Sequence, residues 1–303
     1  MFLASYFVFK SSKGEISITS PLPGFLSRVI NTQASTLNLW LPNVDEDKTT
    51  GPDITAHSVL VYDLTSNQTL FAKNAKEKVP MASLTKIMTA TIALENNRED
   101  DKYLVKKSDL VGEDSMGLLE NEVLSLNELL YGLILHSGND AAETIASNYP
   151  KGGRDGFIKA MNDKAHSLGI KDTVFTDPSG LGDSGLQYST PYDLLVLTNY
   201  AMSFSIFAQI AKTPSYIIPK TPTHEEYILE NETNLLTTYP GVKGVKTGYT
   251  DEAGLCLITY LDYDGHQIIA IILNSTDRRG DMRSLLDFAL LELGIKPPPH
   301  SEA

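Results

Sequence analysis

Ser83 precedes Lys86 by three residues, and no other serine in the chain has a lysine at that interval. On a helix, such positions share a face one turn apart, so the lysine amine can reach the serine hydroxyl. A hydroxyl attacks well only when a neighbouring base takes its proton, and lysine is that base only if its ammonium form is destabilised. The pair therefore describes a nucleophile and base for acyl transfer, provided the helix is buried. Ile87, Met88, Thr89, Ile92 and Leu94 recur at helical spacing and predict a largely buried helix opened by Ser83. At that position the Ser83 backbone N–H is one of the unpaired donors of the helix terminus and can face an oxyanion. The plainer alternative, a serine that merely caps the helix, leaves Lys86 unexplained.

Two further triplets carry compatible chemistry. Ser137-Gly138-Asn139 falls between predicted helices, in a turn able to hold a hydroxyl and a carboxamide toward a cleft. Ser137 would relay a proton, and Asn139 would steady Lys86 and bind a substrate amide. Standing alone, the triplet is an ordinary helix connection with Asn139 or Asp140 as N-cap, and His136 beside it reads as structural. Lys246-Thr247-Gly248 lies on a β-rich run, where Gly248 removes the side chain that would block a second backbone. A peptide substrate can then dock as an added strand. Lys246 would lower the pKa of Lys86 and attract a carboxylate, which Thr247 would hydrogen-bond. Alone, this triplet reads equally well as a turn on an exposed loop.

The elements that must position these residues follow from periodicity and turn chemistry. Ser58 to Phe71 reads as a hairpin around the polar turn Ser66-Asn67-Gln68. Helices are predicted after Ser83 and over Leu126 to Leu135, Asp140 to Ser147, Arg154 to Leu168, Pro191 to about Ala201, and Asp281 to Leu293. Gly- and Pro-containing loops run from Asp177 to Gly185, and β-rich runs cover Tyr216 to Pro219 and Val242 to Tyr249. Leu255 to Leu261 and Gln267 to Leu273 flank an Asp264-Gly265 step that suits a hairpin. Early strands, a helical middle and late strands predict an α+β fold: one antiparallel sheet built from both ends of the chain, flanked by helices, with an inserted helical lobe. The expected boundaries are a leader or weakly ordered arm over 1–50 with a short helix around Phe25 to Ile30, a main domain over 51–296, and a tail over 297–303. Within the main domain the sheet subdomain takes 51–97 and 236–296, and the helical lobe takes 98–235.

Composition narrows the function. A net charge of −13 and a pI near 4.9 argue against nucleic acid as a partner. An anionic substrate must then be drawn by a local cationic pocket. The single Cys256 excludes an intrachain disulfide, and no His, Cys or carboxylate grouping has zinc spacing, so neither a metal nor another cofactor is expected. No apolar run approaches the roughly 18 residues of a spanning helix. Phe2 to Phe9 is the longest near the start, without a preceding positive charge or a clear cleavage site; the remnant of an export signal and a plain terminus are both compatible with it.

Taken together, the three motifs resemble those of the penicillin-binding proteins and serine β-lactamases, where they occur in this order. The surrounding residues are similar to the low-molecular-mass D-alanyl-D-alanine carboxypeptidases of peptidase family S11. Those stretches are Met81-Ala-Ser-Leu-Thr-Lys-Ile-Met-Thr-Ala90, His136-Ser-Gly-Asn-Asp-Ala-Ala142, Asp177-Pro-Ser-Gly-Leu181, Tyr188-Ser-Thr-Pro-Tyr-Asp193 and Gly241-Val-Lys-Gly-Val-Lys-Thr-Gly-Tyr-Thr-Asp-Glu-Ala-Gly254. The likeness runs from about Ala56 to Leu293. It implies the transpeptidase-like fold and an acyl-enzyme on Ser83, formed from the penultimate D-alanine of a peptidoglycan stem peptide with loss of the terminal D-alanine. It also implies an oxyanion held by the backbone N–H groups of Ser83 and Tyr249, Arg278 as a partner of the terminal carboxylate with Arg279 beside it, and β-lactams as covalent inhibitors. The family works outside the cytoplasmic membrane, although no clear export signal is seen. Its members often continue into a β-rich domain and an amphipathic helix; with the chain ending at Ala303, no C-terminal membrane anchor is expected.

Two other readings share these features. A class A β-lactamase needs a further glutamate in a Glu-x-x-Leu-Asn loop, yet no Glu lies between Thr144 and Thr223. Of Glu225, Glu226, Glu230 and Glu232, only Glu230 has an asparagine at the right interval, and there Thr233 replaces the leucine. A non-catalytic wall-binding protein of the same fold is the other, against which stand the catalytic side chains, all present.

Overall fold

A computed structural model describes residues 39–97, 100–182 and 186–300. The apolar run Phe2 to Phe9 and the helix expected around Phe25 to Ile30 lie outside them. Internal contacts divide the chain into 1–40 and 41–303, and the second unit carries all the elements that follow.

The order begins with β1 (Ser58–Asp63), β2 (Gln68–Lys73), a 3-10 turn (Ala82–Thr85) and α1 (Lys86–Glu95). A region of mainly helical elements follows: β3 (Tyr103–Leu104), β4 (Val123–Leu124), α2 (Leu126–Leu135), α3 (Asn139–Ser147), α4 (Gly153–Ser167), α5 (Pro191–Met202), α6 (Ser205–Ala211), β5 (Ser215–Ile218), β6 (Tyr227–Glu230) and α7 (Leu235–Thr238). The chain then returns through β7 (Val242–Thr250), β8 (Gly254–Tyr263), β9 (His266–Ser275) and α8 (Arg278–Glu292).

The main sheet has the order β2-β1-β9-β8-β7 and is antiparallel throughout. Its early and late strands join through β1 and β9, with Ser58 opposite Leu273 and Asp63 opposite Ile268. β9 is buried without interruption from Ile268 to Leu273 because helices cover both faces. On one face α8 lays Met282, Leu285, Leu286, Ala289 and Leu290, at helical spacing, against Val59, Val61, Leu257 and Ile272. On the other, α5 packs on β1 and β9 and against α1. The β8–β9 turn places Asp264 at φ 48° and Gly265 at φ 82°, the left-handed pair that matches the twist of a tight hairpin.

Several details differ from expectation. The α-helix opens at Lys86, and Ser83 stands in the 3-10 turn before it. In that geometry residues three apart eclipse, which brings the two side chains closer still. β3, β4, β6, α6 and α7 have no counterpart among the predicted elements; the two shortest, β3 and β4, are two residues each, too short to show alternation. α8 begins a turn earlier than Asp281, because the Asp277 carboxylate caps it through Gly280 N. The arm expected to reach residue 50 is, from Asp45 onward, fastened along β2 by Asp45 N to Thr69 Oγ1 at 3.0 Å and Ala72 N to Lys48 O at 2.8 Å.

Candidate active site

The site grows from the junction of the 3-10 turn with α1. Lys86 is fully buried, and its Nζ lies 2.8 Å from Ser83 Oγ, 2.6 Å from Asn139 Oδ1 and 2.6 Å from the Ser179 carbonyl oxygen. A neutral amine has two N–H groups and one lone pair. The carboxamide and carbonyl oxygens can only accept, so they take the two N–H groups, and the lone pair remains for the Ser83 hydroxyl proton. Burial first, and then the charge of Lys246, push the Lys86 pKa well below its ordinary value, against the opposing pull of Asp177, Asp114 and Glu232. The amine is thus arranged as a base.

Each partner of Lys86 is itself braced. Asn139, the first residue of α3, donates through Nδ2 to the Glu113 carbonyl at 3.0 Å, which leaves a single N–H for the substrate amide expected to bind there. Ser179 belongs to a loop wound around Asp177, whose Oδ1 accepts from Ser179 N, Ser179 Oγ and Gly180 N at 2.6–2.8 Å. Gly180 sits at φ +93°, and a β-carbon there would meet the Ala82 carbonyl oxygen at 2.1 Å. That loop therefore presses directly on Ala82, the residue before Ser83.

Ser83, Ser137, Thr247, Gly248, Tyr249 and Arg278 line one cleft of about 500 Å³, together with Asp114, Glu232, Leu255 and Arg279. Lys86, Asn139 and Lys246 are buried behind its wall. β7 forms one side, at the end of the sheet order. Gly248 lets it pass Ser83 closely, since a β-carbon there would lie 3.2 Å from Ser83 N and from the Met81 carbonyl oxygen. Arg278 Nη1 donates to the Gly248 carbonyl at 3.2 Å, which ties the start of α8 to β7. The Tyr249 ring is exposed and its hydroxyl donates to Asp251. Ser137 stands at φ +58°, and among the described residues no hydrogen bond is assigned to its hydroxyl.

The ordinary capping role considered for Asp140 is replaced by a larger one. Its carboxylate accepts from Ser115 Oγ and from the backbone N–H groups of Met116, Gly117 and Leu118. One buried side chain thereby holds the 115–118 loop over the Ser137 turn.

Glu232, which in the sequence is only a failed match to a deacylating glutamate, lines the cleft, and no local motif marks it. Thr247 Oγ1 donates to Glu232 Oε2 at 2.6 Å, and Lys246 Nζ lies 3.9 Å from the same oxygen. Burial would raise the Glu232 carboxyl, but Lys246, the Thr247 hydroxyl, Arg278 and His136 together hold it below its usual value. Burial lowers Lys246 to about 8, partly offset by Glu232. Among the described residues no cluster of His, Cys, Asp and Glu is arranged to hold a metal ion.

The model of the S11 peptidase family, D-alanyl-D-alanine carboxypeptidase, matches residues 45–277. The chain belongs to this family. It is 32% identical over 254 residues to the D-alanyl-D-alanine carboxypeptidase DacF of Bacillus subtilis, covering 80% of this chain and 64% of that one, just under two thirds of the relative's length. It is 34% identical over 231 residues to the D-alanyl-D-alanine carboxypeptidase DacB2 of Mycobacterium tuberculosis, covering 76% of this chain and 78% of the relative. The fold is similar to the crystal structure of the Streptomyces K15 DD-transpeptidase, with a TM-score of 0.75 and 31% identity over 80% of this chain and all of that one. The α+β arrangement of this S11 family member is thus the penicillin-binding, transpeptidase-like fold.

Proposed function

We propose that this S11 enzyme is a serine D-alanyl-D-alanine carboxypeptidase that removes the terminal D-alanine from peptidoglycan stem peptides. One observation carries the reading: a buried amine, its charged form disfavoured, 2.8 Å from the Ser83 hydroxyl at the edge of an open cleft. A stem peptide lying along β7 would bring its penultimate D-alanine carbonyl to Ser83 Oγ. Lys86 takes the hydroxyl proton as the C–O bond forms, and the negative oxygen is received by the backbone N–H groups of Ser83 and Tyr249. Proton return to the departing D-alanine amine, from Lys86 and through Ser137, breaks the peptide bond and leaves the acyl-enzyme, which water then hydrolyses. Lys246, Thr247 and Arg278 would receive the terminal carboxylate.

β-Lactams, which carry an acylating carbonyl and a carboxylate, should label Ser83 and leave slowly. Family membership supports action on the cell wall, outside the cytoplasmic membrane. Among the described residues no single helix is long and apolar enough to cross a membrane.

Mass spectrometry of a peptide ending in D-Ala-D-Ala should show loss of one alanine on incubation with the protein. Ser83→Ala should abolish both this loss and labelling by a fluorescent penicillin while keeping the fold. Release of alanine by that variant would remove Ser83 from the mechanism, and rapid catalytic turnover of penicillin would favour a β-lactamase instead.

A further inference from the structure

Glu232 puts a carboxylate where the proposed reaction calls for none. It lies between β6 and α7, in a short segment braced from several sides. Glu232 N donates to Leu135 O at 3.2 Å, Asn234 N to Glu232 O at 3.0 Å, and Thr233 N to Asn231 Oδ1 at 2.9 Å. The side chain therefore projects into the cleft from a fixed backbone, and its Oε2 takes the Thr247 hydroxyl at 2.6 Å with Lys246 Nζ at 3.9 Å. Thr247, Lys246 and Arg278 are the groups a stem peptide's terminal carboxylate would use. Two carboxylates within a few ångströms disfavour each other's charged forms, and a single Thr247 proton cannot be given to both.

We propose that Glu232 is a specificity-determining residue: it is a resident competitor for the carboxylate subsite, which a free terminal carboxylate must displace and an uncharged terminus need not. This rests on the carboxypeptidase reading and adds what that substrate must overcome: a free terminal carboxylate binds only by displacing Glu232, a cost that a donor with an uncharged terminus, such as the terminal amide, does not meet. A role confined to tuning the lysines would act on every acyl donor alike. Competition for the subsite acts only on donors bearing the carboxylate, and that difference is measurable.

The full chain and its Glu232→Gln variant are compared on a D-Ala-D-Ala peptide and on the same peptide ending in the terminal carboxamide. Glutamine keeps an oxygen for the Thr247 hydroxyl but removes the charge. The variant should lower KM for the acid peptide by about tenfold relative to the amide, equivalent to about 1.4 kcal/mol, while the change in Lys86 that follows loss of the Glu232 charge acts on both peptides and cancels in the ratio. Glu232→Ala, which also frees the Thr247 hydroxyl, should raise the acid-to-amide ratio of kcat/KM at least as far. Stoichiometric labelling by penicillin counts the folded, competent fraction of each variant. A ratio unmoved in both variants, or weaker binding of the acid peptide, overturns the role of Glu232 alone. Failure of the unaltered protein to release D-alanine or to react with penicillin overturns the carboxypeptidase reading, and this proposal with it.

Discussion

The proposed chemistry turns on which form of Lys86 is populated. Burial and the Lys246 charge both penalise the ammonium, so the fraction competent to take the Ser83 proton grows as pH rises through the lowered pKa. Removing the positive charge in Lys246→Gln should raise that pKa and move the acid limb of the acylation rate to higher pH. Acylation by saturating penicillin, measured across pH, checks this; an unmoved limb would take Lys246 out of the electrostatics of the base. Lys246 itself, held at about 8, is a cation below that pH and loses its charge above it. The KM for a peptide with a free carboxylate should therefore climb as pH passes about 8, whereas the KM of its terminal amide should stay level. Equal climbs for both would mean that Lys246 does not serve the carboxylate.

At the level of elements, the site is held by strained and crowded backbone. Among the described residues ten non-glycine residues stand at positive φ, and seven of them are Asn or Asp, which tolerate that region. The other three, Ala82, Glu113 and Ser137, all belong to the site: one precedes Ser83, one offers its carbonyl to Asn139, and one lines the cleft. Each such conformation costs on the order of 1–3 kcal/mol and persists only where neighbours enforce it. Gly180 and Asp140 are two of the enforcers. Gly180→Ala adds an atom 2.1 Å from the Ala82 carbonyl oxygen at a φ of +93°. It should destabilise the fold by more than about 1 kcal/mol and slow penicillin acylation by about 10²-fold, the usual effect of moving a reacting atom by about 1 Å. Unchanged acylation would show that the 180 loop does not set the position of Ser83. Asp140→Ala strands several donors of the 115–118 loop, at about 1–3 kcal/mol for each one left buried and unpaired. Urea unfolding should show a loss of about 3 kcal/mol or more, and a loss below about 1 kcal/mol would mean that the loop finds water or other partners.

At the largest scale, residues 41–303 close by joining distant parts of the chain, β1 to β9 in the sheet and α8 across its face. Leu286→Ala, deep in the layer between α8 and the sheet, should cost about 2–5 kcal/mol while leaving the acylation rate of the folded fraction unchanged; a large change in that rate would mean that the core and the cleft are coupled. Much of this architecture was legible in the sequence, because it depends on neighbours. Ser83 and Lys86 meet because a helical turn puts residues three apart side by side. The Asp264-Gly265 hairpin and the apolar face of α8 follow from the same local rules, and the motif order with its flanking residues identified the family. Tertiary structure alone decided that the Ser179 carbonyl completes the setting of Lys86, that Asp140 clamps a loop rather than capping a helix, and that Glu232 faces Thr247. These contacts join chain segments through the closure of the sheet and the helical lobe. Spacing along the chain carries no information about such meetings, because they depend on where each element packs.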